Sequence, residues 1–279
     1  MLIDFHTHSS ASDGVLTPHE LLASAARAGI SRFALTDHDT IGGYLAIQNQ
    51  HIGGLVLISG VEISCVWSGV NIHVLGLNFD PQNPALRKLL AQLDSARCAR
   101  AETIAKRLEQ RGFSGALDGA QEIAGSSQIG RPHFARWLVQ AGHVADEGKA
   151  FDRYLGRGKM GDVKTFWPAL SEAVSAIEDA GGISTLAHPL QYGLTRTKLG
   201  VLIRAFKLSG GRAIEIVNGR QAAEDSHSLL KLAEAESLMI SVGSDFHIDL
   251  LRILHSGWYT IGNFFYNFVN RTVQVLGNT

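Results

Sequence analysis

Cysteine is scarce in this chain of 279 residues: Cys65 and Cys98 are the only two, and they form no CxxC pair. That excludes a disulfide framework and points to a reducing compartment, with the cytoplasm as the expected location. Charge of either sign is not in excess, since 25 Lys and Arg face 26 Asp and Glu, a formal net charge of −1. Proteins that wrap long duplexes usually carry a clear basic excess, so duplex DNA is not an expected partner, although a basic patch in a cleft remains compatible. No apolar run approaches the roughly 18–20 residues that span a bilayer. The opening MLIDFHTH puts polar residues where a signal peptide needs its apolar stretch, so no membrane partner is expected.

Histidine, by contrast, is plentiful. Twelve are present, many beside Asp or Glu in short β-like segments, and imidazole with carboxylate is the ordinary ligand set for zinc, iron and manganese.

The length suits one large domain, or one domain with an insertion. Strand-like runs at 2–6 and 32–37 flank a helix over 18–28. Its start is marked by Thr17 as N-cap, Pro18 at N1 and Glu20 at N3, and its stop by Gly29. A second helix follows from Thr40. Apolar runs at 55–66 and 70–79 then flank Ser68-Gly69, a tight-turn signal. From 81 to 163 strand signals vanish, and helices are expected up to Gly112 and over 118–124, 131–141 and 147–154. Alternation resumes afterwards, with strands at 183–188, 213–217 and 239–244 between helices at 169–180, 199–208 and 222–236. Such alternation implies parallel pairing in an α/β barrel or open sheet. The expected organisation is a barrel formed by 1–80 and 164–279, interrupted by a helical insertion over 81–163. The aromatic-rich residues after Asp249 are expected to cover one end of the barrel.

The chemistry-bearing groups fall at strand ends. His6 and His8, two apart in extended geometry, point to one side and can grip one ion, and Asp13 can return a carboxylate to the same place. Ser-Asp-Gly is also ordinary turn chemistry. Asp37, His38 and Asp39 follow a strand where α/β barrels place their active sites, although Asp39 or Thr40 also suits a helix cap. Glu62 lies in an apolar run, where a carboxylate is costly unless it is paired or binds metal. His73 lies opposite it across the hairpin, in a setting that also suits a hydrogen-bonded core histidine. Arg131 and His133 open a helix, and a helix N-terminus with an arginine is an anion site, although such an arginine is often only surface. His188 precedes Pro189 at a strand end, and Asp245 and His247 repeat the spacing of two. His19, His51, His143, His227 and His255 read as structural or solvated.

The ordered set HTHSSASDG, TDHD, GVEIS, IHVLG, RPHFAR, AHP and GSDFH resembles the polymerase-and-histidinol-phosphatase (PHP) superfamily, over roughly residues 1–247. The likeness is greatest to its stand-alone bacterial members, the nucleoside 3′,5′-bisphosphate phosphatases and 5′-to-3′ exonucleases on short RNA. The resemblance implies a distorted (β/α)7 barrel and two or three divalent ions, Mn²⁺ foremost, with Zn²⁺ or Fe²⁺ as alternatives. It implies one ion on His6, His8, Glu62 and Asp245, and a second on Asp13, His38 and His247. A third would sit on Glu62, His73 and His133. Ions about 3.5–4 Å apart share a hydroxide nucleophile and neutralise the phosphoryl oxygens. Arg131 is then the candidate to hold a phosphate, and His188 to stabilise a phosphoryl oxygen or protonate the departing alkoxide. Gln191 stands in LQY, where the nucleotide-acting relatives usually carry Gly-Arg before the aromatic, and joins Arg131 and His188 as a substrate-contact candidate. The expected substrate is a phosphorylated nucleotide or a short 5′-phosphorylated RNA.

Three other readings stay open. One is a histidinol-phosphate phosphatase, and another a non-catalytic metal-binding PHP module. The third is a metal-dependent amide hydrolase, against which stands the absence of lysine from the strand-end segments. On the long helix, Arg87, Lys88, Arg97, Arg100, Lys106, Arg107 and Arg111 read as a solvated face or a nucleic-acid contact.

Overall fold

Seven strands follow one another around a single sheet in chain order: β1 (Leu2–Asp4), β2 (Ile30–Leu35), β3 (Val56–Trp67), β4 (Val70–Leu77), β5 (Ile183–Leu186), β6 (Ala213–Asn218) and β7 (Met239–Gly243). The computed structural model describes residues 2–163, 167–219 and 221–247. The segment after β1 returns to β7, where Phe5 donates its N–H to the Val242 carbonyl at 3.1 Å and Thr7 bridges to Phe246. The sheet is thereby a nearly closed barrel.

Pairing is mixed, combining the parallel strands expected from strand-helix alternation with the hairpin expected at Ser68-Gly69. β1–β2, β2–β3, β5–β6 and β6–β7 are parallel, whereas β4 runs antiparallel to both neighbours. The cause is local. Ser68 and Gly69 both take positive φ, 47° and 74°, the backbone that a two-residue hairpin turn demands. The turn reverses one strand and brings His73 opposite Ser64, two residues past Glu62.

Helices α1 (Pro18–Arg27), α2 (Gly42–Ile47), α7 (Leu170–Asp179), α8 (Arg196–Leu208) and α9 (Ala223–Ala235) accompany the strands, with α7 packed on β3, β4 and β5. α1 begins on the expected capping box: Thr17 Oγ1 accepts from the Glu20 N–H at 3.3 Å, and Glu20 Oε2 accepts from the Thr17 N–H at 2.9 Å. Between β4 and β5 lie α3 (Pro84–Glu109), α4 (Ala116–Ala124), α5 (Arg131–Gln140) and α6 (Glu147–Ala150), the last continued by a π-turn over Phe151–Leu155.

The apolar interior forms two clusters, and α3 belongs to both. Its first half gives Leu86, Leu89 and Leu93 to the barrel core. Its second half gives Ala101, Ile104, Ala105 and Leu108 to a smaller core with Phe134 and Leu138 of α5 and Ala116 and Ala120 of α4. Phe134 is fully buried, and truncating such a residue to alanine costs about 3–5 kcal/mol. No helix among the described residues is long and apolar enough to cross a membrane. The expected cover by the segment after Asp249 lies outside the described residues.

Candidate active site

The segments leaving the barrel strands at one end are held by side-chain bonds, and these position the site. Asp37 accepts from the Ser9 N–H, the Ser9 hydroxyl and the Ser12 hydroxyl at 2.8, 2.8 and 2.7 Å, folding the loop that carries Asp13 against the end of β2. Asp4 accepts from the Ser244 N–H at 2.9 Å and the His6 N–H at 3.2 Å, joining the ends of β1 and β7. Asp39, His188 and Asp245 have φ of 55°, 23° and 52°. Left-handed backbone in non-glycine residues is uncommon and collects at functional sites.

Glu62 is the hub. Its Oε2 lies 3.4 Å from His6 Nε2, 3.3 Å from His8 Nε2 and 2.9 Å from His38 Nδ1. Its Oε1 lies 2.8 Å from both His73 Nδ1 and His188 Nε2. Asp245 Oδ1 faces His6 Nε2 and His8 Nε2 at 3.5 and 3.4 Å. Asp13 approaches His247 Nε2 at 3.4 Å and His38 Nε2 at 3.8 Å. His8 serves both sides, its Nδ1 lying 4.0 Å from Asp13 Oδ1.

The donor set fits cations. His6 Nε2, both ring nitrogens of His8, His38 Nδ1 and Glu62 Oε2 are buried and make no hydrogen bond, an expensive arrangement for a protein without ions between them. Nitrogen and oxygen ligands lie about 2.0–2.2 Å from zinc, so two donors on one ion stand roughly 3–3.5 Å apart. The spacings around His6, His8, Glu62 and Asp245 match that. Four overlapping groups have the proximity to hold an ion: His8 with Asp13, His38 and His247; His6 with His8 and Asp245; His6 with Glu62 and His188; and His38 with Glu62 and His73.

Electrostatics agree with this reading. Burial disfavours charge on Glu62, yet His38, His73 and His6 outweigh it and hold the carboxyl well below the usual range. Asp245 is held low in the same way, burial being overcome chiefly by His6 and the adjacent His8 ring. Burial and the charges of His247 and His38 push His8 down to about 3. His38 is raised to about 9, because Glu62 and Asp13 outweigh its burial. The cluster thus keeps its carboxylates ionised, ready for cations.

Eight of the nine ligand candidates converge here. His133 does not: its Nδ1 accepts from the Gly130 N–H at 3.0 Å and its Nε2 lies 3.4 Å from Ser127 Oγ, and it joins none of the four groups. The helix start that drew attention to it consumes its ring nitrogen in a cap. His188, read from the sequence as a phosphate contact, stands beside Glu62 and 3.3 Å from His73 Nδ1. Gln191 lies on the opposite flank, donating to Asn218 Oδ1 at 2.7 Å and reaching Asp245 Oδ2 at 3.4 Å. Arg131 lines a cavity of about 140 Å³ whose other wall is Asp13, His38 and His73.

That cavity contains what the sequence reading missed. Arg97 and Arg100 are buried and line it beside Arg131, both guanidinium groups lying over the Trp167 ring at 5.6 and 5.7 Å. Arg97 is paired with Asp39, its Nε donating to Oδ2 at 2.7 Å. Arg100 Nε is buried without a hydrogen bond. Burial and the charges of Arg131 and Arg97 depress the Arg100 pKa to about 9, so it stays charged at neutral pH. The signal existed. Residues 97 and 100 continue the stripe of Leu86, Leu89 and Leu93, so these two arginines lie on the inward face of α3. Glu215 was also missed, although AIEIV buries a carboxylate in a strand just as GVEIS does.

A barrel end thus gathers five imidazoles around one buried glutamate, with donors suited to cations, beside a three-arginine cavity suited to an anion. Known proteins resemble it in sequence and fold. The PHP domain family matches residues 4–111. The chain is 42% identical to a 5′-3′ exoribonuclease of Haemophilus influenzae across 93% of this chain and 92% of that protein. It is 40% identical to a 3′,5′-nucleoside bisphosphate phosphatase of Chromobacterium violaceum across 88% and 87%. A solved structure named as a metal-dependent phosphoesterase, from Bifidobacterium adolescentis, superposes with a TM-score of 0.79 at 27% identity, covering 99% of this chain and 98% of that one. The chain belongs to the PHP family of metal-dependent phosphoesterases.

Proposed function

We propose that this enzyme hydrolyses phosphate esters of nucleotides that carry a second phosphate, either 3′,5′-bisphosphates or the 5′-phosphorylated end of a short RNA. The observation that carries the reading is the shared wall: Asp13, His38 and His73 of the cluster face the same small cavity as Arg97, Arg100 and Arg131. A scissile phosphoryl group belongs on the cations and a second phosphate on the arginines, where forked guanidinium donors match its oxygens. The names of the exoribonuclease and bisphosphate phosphatase relatives support this choice. A histidinol phosphate carries one phosphate and an ammonium group, and the arginines would repel the latter.

His6, His8, Glu62 and Asp245 would hold one divalent ion, Asp13, His38 and His247 a second, and Glu62, His73 and His188 a third, with Mn²⁺ the leading candidate. When bound, such ions supply a hydroxide nucleophile at neutral pH and neutralise charge on the phosphoryl oxygens. The protein's own part is to keep Glu62, Asp245 and Asp13 ionised, to anchor the second phosphate, and to hold the scissile ester in line. His188 serves in this scheme as a ligand.

The test is phosphate release from adenosine 3′,5′-bisphosphate, AMP, histidinol phosphate and a 5′-phosphorylated RNA oligomer by the Mn²⁺-loaded protein. The bisphosphate or the RNA should be the best substrate. Inactivity on all four with a full metal complement contradicts the proposal.

A further inference from the structure

Glu215 lies within β6, fully buried, and belongs to none of the four cation groups. A carboxylate withdrawn from water needs compensation, and its ion-pair partner among the described residues is His6. Oε1 and Oε2 lie 3.0 and 3.2 Å from His6 Nδ1. Oε2 also accepts from the His188 backbone N–H at 2.7 Å and from Asn218 Nδ2 at 3.1 Å. A carboxylate only accepts, so in neutral His6 the proton sits on Nδ1 and the lone pair on Nε2. That lone pair is the buried, unbonded nitrogen placed between Glu62 and Asp245.

The chain is shaped around this contact. β6 slips register against β7 between Glu215 and Val217, a bulge of the kind that re-aims a side chain. At the end of β7, Gly243 leaves the space: a Cβ there would stand 2.2 Å from His6 Cβ and 2.8 Å from Glu215 Oε1. The strained backbone of His188, with φ 23° and ψ 57°, is pinned by its N–H on Glu215. Beyond Asn218, Gln191 extends the same hydrogen-bonded line to Asp245 Oδ2.

We propose that Glu215 is a positioning residue that fixes the His6 tautomer and the His188 turn together, so that one carboxylate behind the cluster sets the metal affinity of two neighbouring positions. The proposal rests on the metal-cluster reading above. Outer-shell partners of this kind alter metal affinity by about 10–100-fold when replaced.

The direct variant is Glu215→Gln, which keeps the shape and turns one acceptor into a donor. Three results are expected. Mn²⁺ affinity measured against a competing chelator weakens by about 10–100-fold. In the metal-free protein, at a pH where His6 is neutral, the ¹⁵N imidazole spectrum shows the His6 proton moved from Nδ1 to Nε2. Where His6 is neutral the melting temperature of the metal-free protein does not fall, since the buried Glu215 charge then has no cationic partner to lose. Asn218→Ala, at a partly exposed residue, carries the test if the first variant does not fold, and should weaken Mn²⁺ binding in the same direction to a smaller extent. Unchanged affinity and an unchanged His6 spectrum in the folded variants would overturn the proposal. So would a loss of affinity matched by a lower melting temperature of the metal-free protein where His6 is neutral, the mark of a merely structural role. Wild-type protein that binds no Mn²⁺ would overturn the cluster reading itself, a result distinct from either.

Discussion

Two regions of opposite charge meet at one end of this barrel. In the cluster around Glu62, carboxylates and imidazoles are packed so that several buried nitrogens and an oxygen have no hydrogen-bond partner. In the cavity beside it, Arg97, Arg100 and Arg131 crowd together with Asp39 as the carboxylate directly paired to Arg97. Each region leaves charge uncompensated, and buried unpaired charge is costly unless a ligand supplies the partner. In the proposed function cations complete the first and an anion the second, and a substrate with two phosphates would span the shared wall.

The largest effect is expected at Glu62. Glu62→Gln removes the charge facing five histidines. Metal content by elemental analysis should fall by more than one ion per chain, and kcat should drop by about 10²–10³-fold or more. Retained stoichiometry would dissolve the contrast. Arg131→Ala acts on the other side. It should raise KM for the bisphosphate about 10–100-fold, the size expected for charged hydrogen bonds worth about 1.5–3 kcal/mol, while kcat and KM for AMP change little.

Acidity offers a third handle. His38, raised to about 9 by Glu62 and Asp13 against its burial, must surrender its proton to admit an ion. Mn²⁺ affinity should therefore rise from pH 7 towards pH 9 and level off above it, and titrations in buffers of different ionisation enthalpy should show proton release at pH 7. The smallest effect is on the metal-free fold. Because the folded pKa of His38 exceeds the unfolded value of about 6.5, its stabilisation is complete below about pH 6.5 and is lost as pH rises through about 9. Melting of the chelator-treated protein should show a fall over that window that His38→Gln removes. His8 works in the opposite sense. Its pKa of about 3 means that it is held neutral, so it destabilises the metal-free protein as pH drops below about 6.5.

The same contrast governs what the sequence revealed. His6, His8, His38, Glu62, Asp245 and His247 were legible because each sits at a strand end in a short motif, where periodicity two and costly burial speak locally. Strand and helix order was legible for the same reason, down to the Thr17-Glu20 box. The reversal of β4 was legible in the Ser68-Gly69 turn between two apolar runs. The arginine cavity is assembled by tertiary contact between α3, α5 and Trp167, and no short window contains it. The placement of His133 and His188 is also tertiary: Gly130 engages the one, while Glu215 and β6 bring the other to Glu62.

Counting phosphate sites with and without metal tests the pairing of the two regions most directly. Titration of inorganic phosphate should find one site on the metal-free protein, abolished in Arg100→Ala, and two on the Mn²⁺-loaded protein, of which the variant keeps one. Metal-free protein that binds no phosphate, or loaded protein with a single site that Arg100→Ala leaves intact, would contradict the claim that two oppositely charged regions grip one doubly phosphorylated substrate.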